Sequence, residues 1–211
     1  MDFIKEPMVI ENRSMELIAP HLSGLGLDER ATKVYSRIIH ASGDVDYAPI
    51  IRVSPEAIDA AMEALRSGAH IYTDVEMVRT GINKKKLASF GGEVHCLVAD
   101  PDIAARAKKE GVTRSMVAMR QFGKALDGSI VAIGNAPTAL FEVLRLVREE
   151  GIRPACIVGI PVGFVGAAES KAALASHGIV PYITVEGTKG GSPIAAAAIN
   201  ALMYLIDNTR P

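Results

Sequence analysis

Short apolar runs that alternate with longer helical patterns constrain the fold of this 211-residue chain more than any other feature. From about residue 54 onward, each run has the length of a strand and few polar positions, and a helical pattern follows it. Near-continuous apolar runs are typical of parallel strands that helices cover on both faces. The runs lie at 69–72, 94–98, 130–133, 155–160 and 182–185. They predict an α/β fold with three layers, in which an open, mostly parallel, doubly wound sheet has helices on both faces.

Start signals mark the helices between these strands, because capping residues and prolines favour the first helical turn. The expected helix starts are Ser54-Pro55-Glu56, Asp100-Pro101, Pro137 and Ser192-Pro193, and Gly68 is expected to end the first of these helices. The first 50 residues carry two helical patterns, at 11–18 and 28–41, and no strand is predicted there. We expect residues 1–50 to pack beside the sheet core and against another subunit. The whole chain, 1–211, is predicted to be one α/β domain.

Composition and charge exclude several classes of protein. The formal net charge is -1, so no broad basic field favours nucleic acid or an anionic membrane. No apolar stretch reaches the roughly 20 residues that span a bilayer, and the first residues lack a secretory signal, so we expect a cytoplasmic protein. Cys96 and Cys156 lie inside apolar runs. Buried, reduced thiols are therefore expected, and no disulfide.

Polar and glycine-rich loops follow four of the predicted strands, at the edge where sheets of this kind bind ligands. They are 73–74, 134–138, 159–166 and 186–192. In three of them a helix begins at once, so free backbone N–H groups and a positive helix end would face the same edge. Such groups suit carboxylates or phosphates. Each loop alone is equally compatible with an ordinary turn, since turns are commonly rich in glycine.

Well-known catalytic and nucleotide motifs are missing. The spacing of Gly159, Gly163 and Gly166 does not fit G-x-G-x-x-G, and Lys189 precedes Gly190-Gly191, which excludes a phosphate loop of the G-x-x-x-x-G-K-[ST] type. No nucleophile motif occurs, and no pair of histidines has metal-ligand spacing with a cysteine. We therefore predict no metal.

His40 is the candidate acid among the five histidines. It lies in the last predicted turn of the helix that precedes Gly43, where the negative end of the helix dipole favours imidazolium. Arg37 lies three residues earlier on the same polar face, with Lys33 and Ser36. Spacing alone leaves two interpretations open, a solvated polar face or a general acid beside a cation.

Several segments together resemble the precorrin-8X methylmutase family, which includes the cobalt-precorrin-8 methylmutases of cobalamin biosynthesis. The segments are Arg37-Ile-Ile-His40-Ala-Ser-Gly-Asp44, Asp74-Val-Glu-Met77-Val78, Gly81-Ile82, Gly134-Asn-Ala-Pro-Thr-Ala-Leu140, Gly163-Phe-Val-Gly-Ala-Ala-Glu-Ser-Lys171 and Lys189-Gly-Gly-Ser192. They follow the family's order from about residue 10 to 202. Each segment is weak evidence by itself, and the ordered set is specific.

The resemblance implies a homodimeric isomerase that moves a methyl group from C-11 to C-12 of a tetrapyrrole, giving hydrogenobyrinate or its cobalt form, cobyrinate, without a cofactor. It implies that His40 protonates the macrocycle, while the protein holds the ring so that one migration path is open. Substrate contacts are expected from Ser14, Arg37, Asp74, Arg114, Asn135, Lys189, Gly190, Gly191 and Ser192, several of them toward carboxylate arms.

This sequence departs from the family pattern at Thr188, where an arginine is expected, and around Ser14, where the match is looser. Two other functions stay open at this point. One is an α/β enzyme that acts on a nucleotide or sugar phosphate, since one fold hosts many functions. The other is a tetrapyrrole carrier without catalytic activity.

Overall fold

A computed structural model describes residues 3–207, in which ten α-helices surround one six-stranded sheet. The strands are β1 (Ile51–Val53), β2 (Ile71–Thr73), β3 (Val94–Cys96), β4 (Ile130–Ile133), β5 (Cys156–Gly159) and β6 (Tyr182–Val185). The helices are α1 (Pro7–Leu22), α2 (Glu29–Ser42), α3 (Ala57–Arg66), α4 (Glu76–Gly81), α5 (Lys84–Ser89), α6 (Pro101–Glu110), α7 (Arg114–Phe122), α8 (Pro137–Glu149), α9 (Ala167–His177) and α10 (Ser192–Asp207). Residues 1–2 and 208–211 of the predicted domain lie outside the described residues.

The strand order is β1-β6-β5-β4-β2-β3, and every neighbouring pair is parallel except β1 and β6. This confirms the predicted mostly parallel sheet. After β2 the chain moves outward to β3, returns to β4 on the other side of β2, and continues through β5 to β6. The switch point of a doubly wound sheet therefore lies between β2 and β4.

Two apolar cores lie on the two faces of the sheet, as the predicted three layers require. Ile130 and Ala132 of β4 face the core formed with α2, α3 and α10, whereas Val131 and Ile133 face the core formed with α7, α8 and α9. This alternation follows from the two-residue period of a strand. Burial on both faces explains why β4 is a continuous apolar run.

Local interactions account for where the helices start. Asp28 and Asp100 each accept hydrogen bonds from backbone N–H groups in the first turn of their helices, as N-caps do. Ser54 does not cap α3, contrary to the prediction. Its hydroxyl accepts a hydrogen bond from the Tyr182 N–H at 2.9 Å, and the helix begins at Ala57.

Three further predictions are settled by the structure. Both cysteines are free thiols, and burial raises the pKa of Cys156 to about 12. Cys96 is only half-buried, because β3 is an edge strand. Within residues 3–207, no helix has both the length and the apolar character needed to cross a membrane.

Candidate active site

The C-terminal turn of α2 presents His40 at the protein surface. Gly43 ends the helix in the left-handed conformation, with φ of 64°, and its N–H donates to the Ile39 carbonyl at 3.0 Å. The His40 imidazole is exposed and has no hydrogen-bond partner among residues 3–207. It is therefore accessible to an external ligand.

A cross-link joins this end of α2 to the loop before α10. Lys189 Nζ donates to Asp44 Oδ2 at 2.5 Å, and the ammonium lies 5.4 Å from the centre of the Tyr47 ring. The bond to Asp44 raises the pKa of Lys189, and the same bond lowers the pKa of Asp44. A groove of about 390 Å³ lies between the two segments, and Ala41, the residue after His40, is part of its lining. The predicted ligand-binding cation Lys189 thus already has a carboxylate partner, which a bound anion would have to share.

Residues 189–192, called the α10 loop below, have a conformation that depends on glycine. Gly190 has φ of 155°, and a Cβ added there would lie 2.5 Å from the Ile160 carbonyl oxygen. The Gly191 N–H donates to that same carbonyl at 2.9 Å, so it is not open to a ligand as the sequence suggested. The N–H groups of Gly190 and Ser192, and the buried Ser192 hydroxyl, have no protein partner in the described part of the chain. These groups lie at the positive end of a 16-residue helix and can bind an anion.

Asp74 fills the switch point of the sheet. Its carboxylate is completely buried and accepts hydrogen bonds from the backbone N–H groups of Gly134, Asn135 and Ala136 at 3.0, 2.8 and 2.7 Å. Burial raises the pKa of Asp74, and the three hydrogen bonds oppose that shift. The Asp74 oxygens therefore already bind the start of α8, and substrate contact by Asp74 stays a prediction. The same bonds occupy the Asn135 N–H that we expected to be free.

The Asp74 cluster and the α10 loop belong to one continuous edge. A Cβ added at Gly134 would lie 2.7 Å from Ser192 Cα, so the β4–α8 turn lies directly against the start of α10. Arg114, the first residue of α7, reaches the same edge, since the preceding Thr113 hydroxyl lies 2.9 Å from that of Thr138 in α8. The side chains of Arg114 and Asn135 are both exposed. Among residues 3–207, Arg114 has no carboxylate partner.

Arg37 and Ser14 are less available to a ligand than the sequence suggested. The Arg37 guanidinium forms a salt bridge with Glu11 of α1, lies 5.7 Å from the centre of the Tyr204 ring, and has a side chain only 12% exposed. Helix α1 therefore covers the polar face of α2, and the interpretation as a solvated face is wrong for Arg37 and for the buried Ser36. Ser14 donates its hydroxyl hydrogen to the Ile10 carbonyl within α1. The Arg37–Glu11 pair fixes how α1 and α2 lie side by side. From that pair, Ser14 lies toward the loop that connects the two helices, whereas His40 lies away from it. Ser14 and His40 of one chain are therefore not brought together.

Sequence reasoning missed two residues that hold the α10 loop and one cluster of three residues at the opposite ends of the strands. Asp44 and Tyr47 hold the α10 loop, and the only sequence signal was that Asp44 belongs to the segment that contains His40. At the opposite edge, His70, Glu93 and His95 bring possible ligand atoms within 4.8 Å of one another. Since His70 Nδ1 accepts a hydrogen bond from the Glu93 N–H at 3.1 Å, a metal would compete for that nitrogen, and we assign none.

Comparison with known proteins agrees with the resemblance. The family model of precorrin-8X methylmutase matches residues 9–205. A cobalt-precorrin-8 methylmutase from Priestia megaterium is 41% identical over 203 residues, covering 96% of this chain and 90% of the relative. A precorrin-8X methylmutase from Pseudomonas aeruginosa is 43% identical over 204 residues, covering 96% and 97%.

Solved structures give the same result. The crystal structure of a precorrin-8X methylmutase from Thermus thermophilus superposes with a TM-score of 0.87 at 38% identity, covering 95% of this chain and 97% of that one. Sequence and structure therefore match over nearly the full length of the relatives. The chain belongs to the precorrin-8X methylmutase family, whose members are isomerases of cobalamin biosynthesis.

Proposed function

We propose that this protein moves a methyl group from C-11 to C-12 of precorrin-8 or cobalt-precorrin-8. The migration is intramolecular, so it needs no methyl donor. Relatives named for the metal-free and for the cobalt-bearing substrate share similar identity with this chain, 43% and 41%. The proposal therefore concerns the ring chemistry that both have in common, and any cobalt belongs to the substrate.

The observation that carries the proposal is the exposed imidazole of His40, which has no hydrogen-bond partner among residues 3–207 and directly precedes Ala41 in the lining of the groove. A general acid must reach the atom that it protonates, and in this fold the last turn of α2 meets the groove that the α10 loop lines. We propose that His40 donates a proton to the bound macrocycle. The remaining catalytic contribution is positioning, because a ring held in one orientation leaves one face open to the migrating methyl group.

Carboxylate arms of the substrate are proposed to bind along the strand edge. The Arg114 guanidinium and the Asn135 side chain are exposed, and the N–H groups of Gly190 and Ser192 have no protein partner among residues 3–207. Arg114→Ala is expected to raise KM about tenfold, as loss of one charge-assisted hydrogen bond of roughly 1.5–3 kcal/mol would do. Arg148→Ala is a matched control, because Arg148 is an exposed arginine at the far end of α8.

A homodimer is also proposed, with residues 1–50 at the interface. Helix α1 exposes Met8, Val9 and Leu17, and the β5–α9 loop exposes Phe164 and Val165 at 93% and 89%. Exposed apolar surface of this extent is typical of interaction sites. Sedimentation at micromolar concentration is expected to give the mass of two chains, and the mass of one chain would contradict the proposal.

The decisive experiment follows the visible absorption spectrum of precorrin-8X, and separately of cobalt-precorrin-8, with wild type, His40→Ala and His21→Ala. His21 is an exposed histidine in the last turn of α1 and controls for loss of a surface imidazole. We expect wild type and His21→Ala to convert at least one substrate to the corrin spectrum, and His40→Ala to lose conversion.

Conversion by His40→Ala at the wild-type rate would refute the role of His40 as general acid, while the proposed reaction would still stand. Tight binding of the ring by wild type without conversion of either substrate would instead favour the carrier. No observation favours a nucleotide or sugar phosphate as substrate, since the Asp74 carboxylate occupies the switch-point position where a phosphate would bind.

A further inference from the structure

Lys171 of α9 is a buried cation that has no carboxylate partner in the described part of the chain. Its side chain is 1% exposed and is the largest of the fully buried side chains among the described residues. Within residues 3–207, its one hydrogen bond runs from Nζ to the Lys189 carbonyl at 2.5 Å. Burial lowers the pKa of Lys171 to about 8, which reflects the unfavourable transfer of the charge out of water.

The packing of α9 does not require a lysine at this position. Its buried neighbours include Ala167, Ser170 and Leu174, and Leu174 belongs to the apolar core. An unbranched apolar side chain of similar length would fill the same space, and replacing a buried charge in this way is often neutral or stabilising. The lysine is therefore explained by what its ammonium binds, not by the stability of the helix.

The carbonyl that Lys171 binds belongs to the α10 loop. The conformation of this loop determines the orientation of the Gly190 and Ser192 N–H groups. Other contacts hold the outer side of this loop, namely the Lys189 ammonium on Asp44 and the Tyr47 hydroxyl, which donates to the Gly190 carbonyl at 3.5 Å. Lys171 holds the same residue, Lys189, from the protein interior. The main chain at Lys189 is thus fixed between a buried ammonium and the segment that follows His40.

We propose that Lys171 is a positioning residue, which orients the α10 loop so that its N–H groups and the end of α2 meet the carboxylates of the substrate. It does not touch the substrate itself. This inference rests on the proposed function for the identity of the ligand, but the effect on the loop is independent of that ligand.

The test compares Lys171→Met with wild type and with Ser170→Ala. Ser170 is equally buried on the same helix, and its hydroxyl donates to the Ala167 carbonyl, its one side-chain hydrogen bond within residues 3–207. Lys171→Met is expected to melt at or above the wild-type temperature, because it removes a buried charge. Its KM for the tetrapyrrole is expected to rise about tenfold with kcat nearly unchanged, since a charge-assisted hydrogen bond to the loop is lost while His40 is intact. Ser170→Ala should leave KM and kcat at wild-type values.

Hydrogen exchange supplies a readout that needs no substrate. In Lys171→Met the amides of residues 188–192 are expected to exchange faster than in wild type and in Ser170→Ala. Unchanged exchange together with unchanged KM would overturn the proposal. A variant that melts well below wild type would also overturn it, because Lys171 would then be serving the stability of the core. Absence of turnover in wild type would refute the proposed reaction alone, and the exchange result would still decide the role of Lys171.

Discussion

Replacing Asp74 with alanine tests whether this carboxylate holds the sheet edge together or binds substrate. The change leaves three backbone donors without an acceptor, and each buried donor left unsatisfied costs about 1–3 kcal/mol. Gly134 is buried, so its N–H should cost the most, whereas water can reach the half-buried Ala136 and the exposed Asn135. Relief from burying a charge offsets part of the loss, and we expect a net decrease of about 3 kcal/mol in the free energy of unfolding.

Urea unfolding followed by circular dichroism measures this change. With an m value of roughly 3 kcal/mol/M for a chain of this size, the midpoint should fall by about 1 M. Asp100→Ala is the matched control, because Asp100 also accepts backbone hydrogen bonds at a helix start but lies half-buried at α6. That variant should lose only about 1 kcal/mol, as N-cap variants do. A midpoint for Asp74→Ala equal to that of Asp100→Ala, combined with lost substrate affinity, would refute the structural role and restore Asp74 as a ligand.

Three other substitutions give distinct outcomes. Gly190→Ala should abolish substrate binding and lower the melting temperature, because no Cβ fits 2.5 Å from the Ile160 carbonyl oxygen. A substrate affinity equal to that of wild type, measured by calorimetry, would contradict this. Glu142 is buried beside Arg120 and Arg145. Burial raises its pKa, but the arginine hydrogen bonds outweigh burial and leave the pKa below its ordinary value. Glu142 therefore stabilises the fold above the unfolded pKa of about 4.3, and this contribution is lost as pH falls through the folded value. Glu142→Gln should lower the free energy of unfolding by about 2 kcal/mol at pH 7. It should also reduce the loss of stability that wild type shows as the pH falls in a series of unfolding experiments; an unchanged loss would contradict this. Arg37→Ala should lower stability more than it raises KM, because its guanidinium ties α2 to α1; the opposite ranking in melting and kinetic assays would return Arg37 to the binding site.

Elements buried on both faces could be predicted from the sequence almost to the residue. Strands β4 and β6 occupy 130–133 and 182–185 as predicted, and α8 begins at Pro137. These elements are specified by their own apolar periodicity and start signals. Strand β1 was missed because it has three residues and depends on antiparallel pairing with β6, at least 130 positions later. The Ser54 cap failed for the same reason, since its hydroxyl serves the backbone of that distant strand.

The site was predicted as a set of loops but not as a set of contacts. Sequence order placed the four loops at one edge, because parallel strands bring their carboxyl ends together. It could not show which polar groups would bind one another. Asp74 meets the start of α8, Lys189 meets Asp44, and Arg37 meets Glu11, each across at least 26 positions of the chain. These pairings change the availability of each group, and they decide which cations and N–H groups remain for a ligand.

The closed switch point explains how a doubly wound sheet without nucleotide motifs can still bind an anion. In such sheets the crevice between diverging crossovers normally offers free N–H groups to a phosphate. Here the Asp74 carboxylate neutralises those groups at α8. The anion binding that we propose then depends on Arg114 and on the start of α10, which adjoins the end of α2 that carries His40. A ligand that uses these groups must extend along the edge, as a ring with several carboxylate arms does. The carboxylate that occupies the switch point therefore supports the proposal of a broad polyanionic substrate over a compact phosphate.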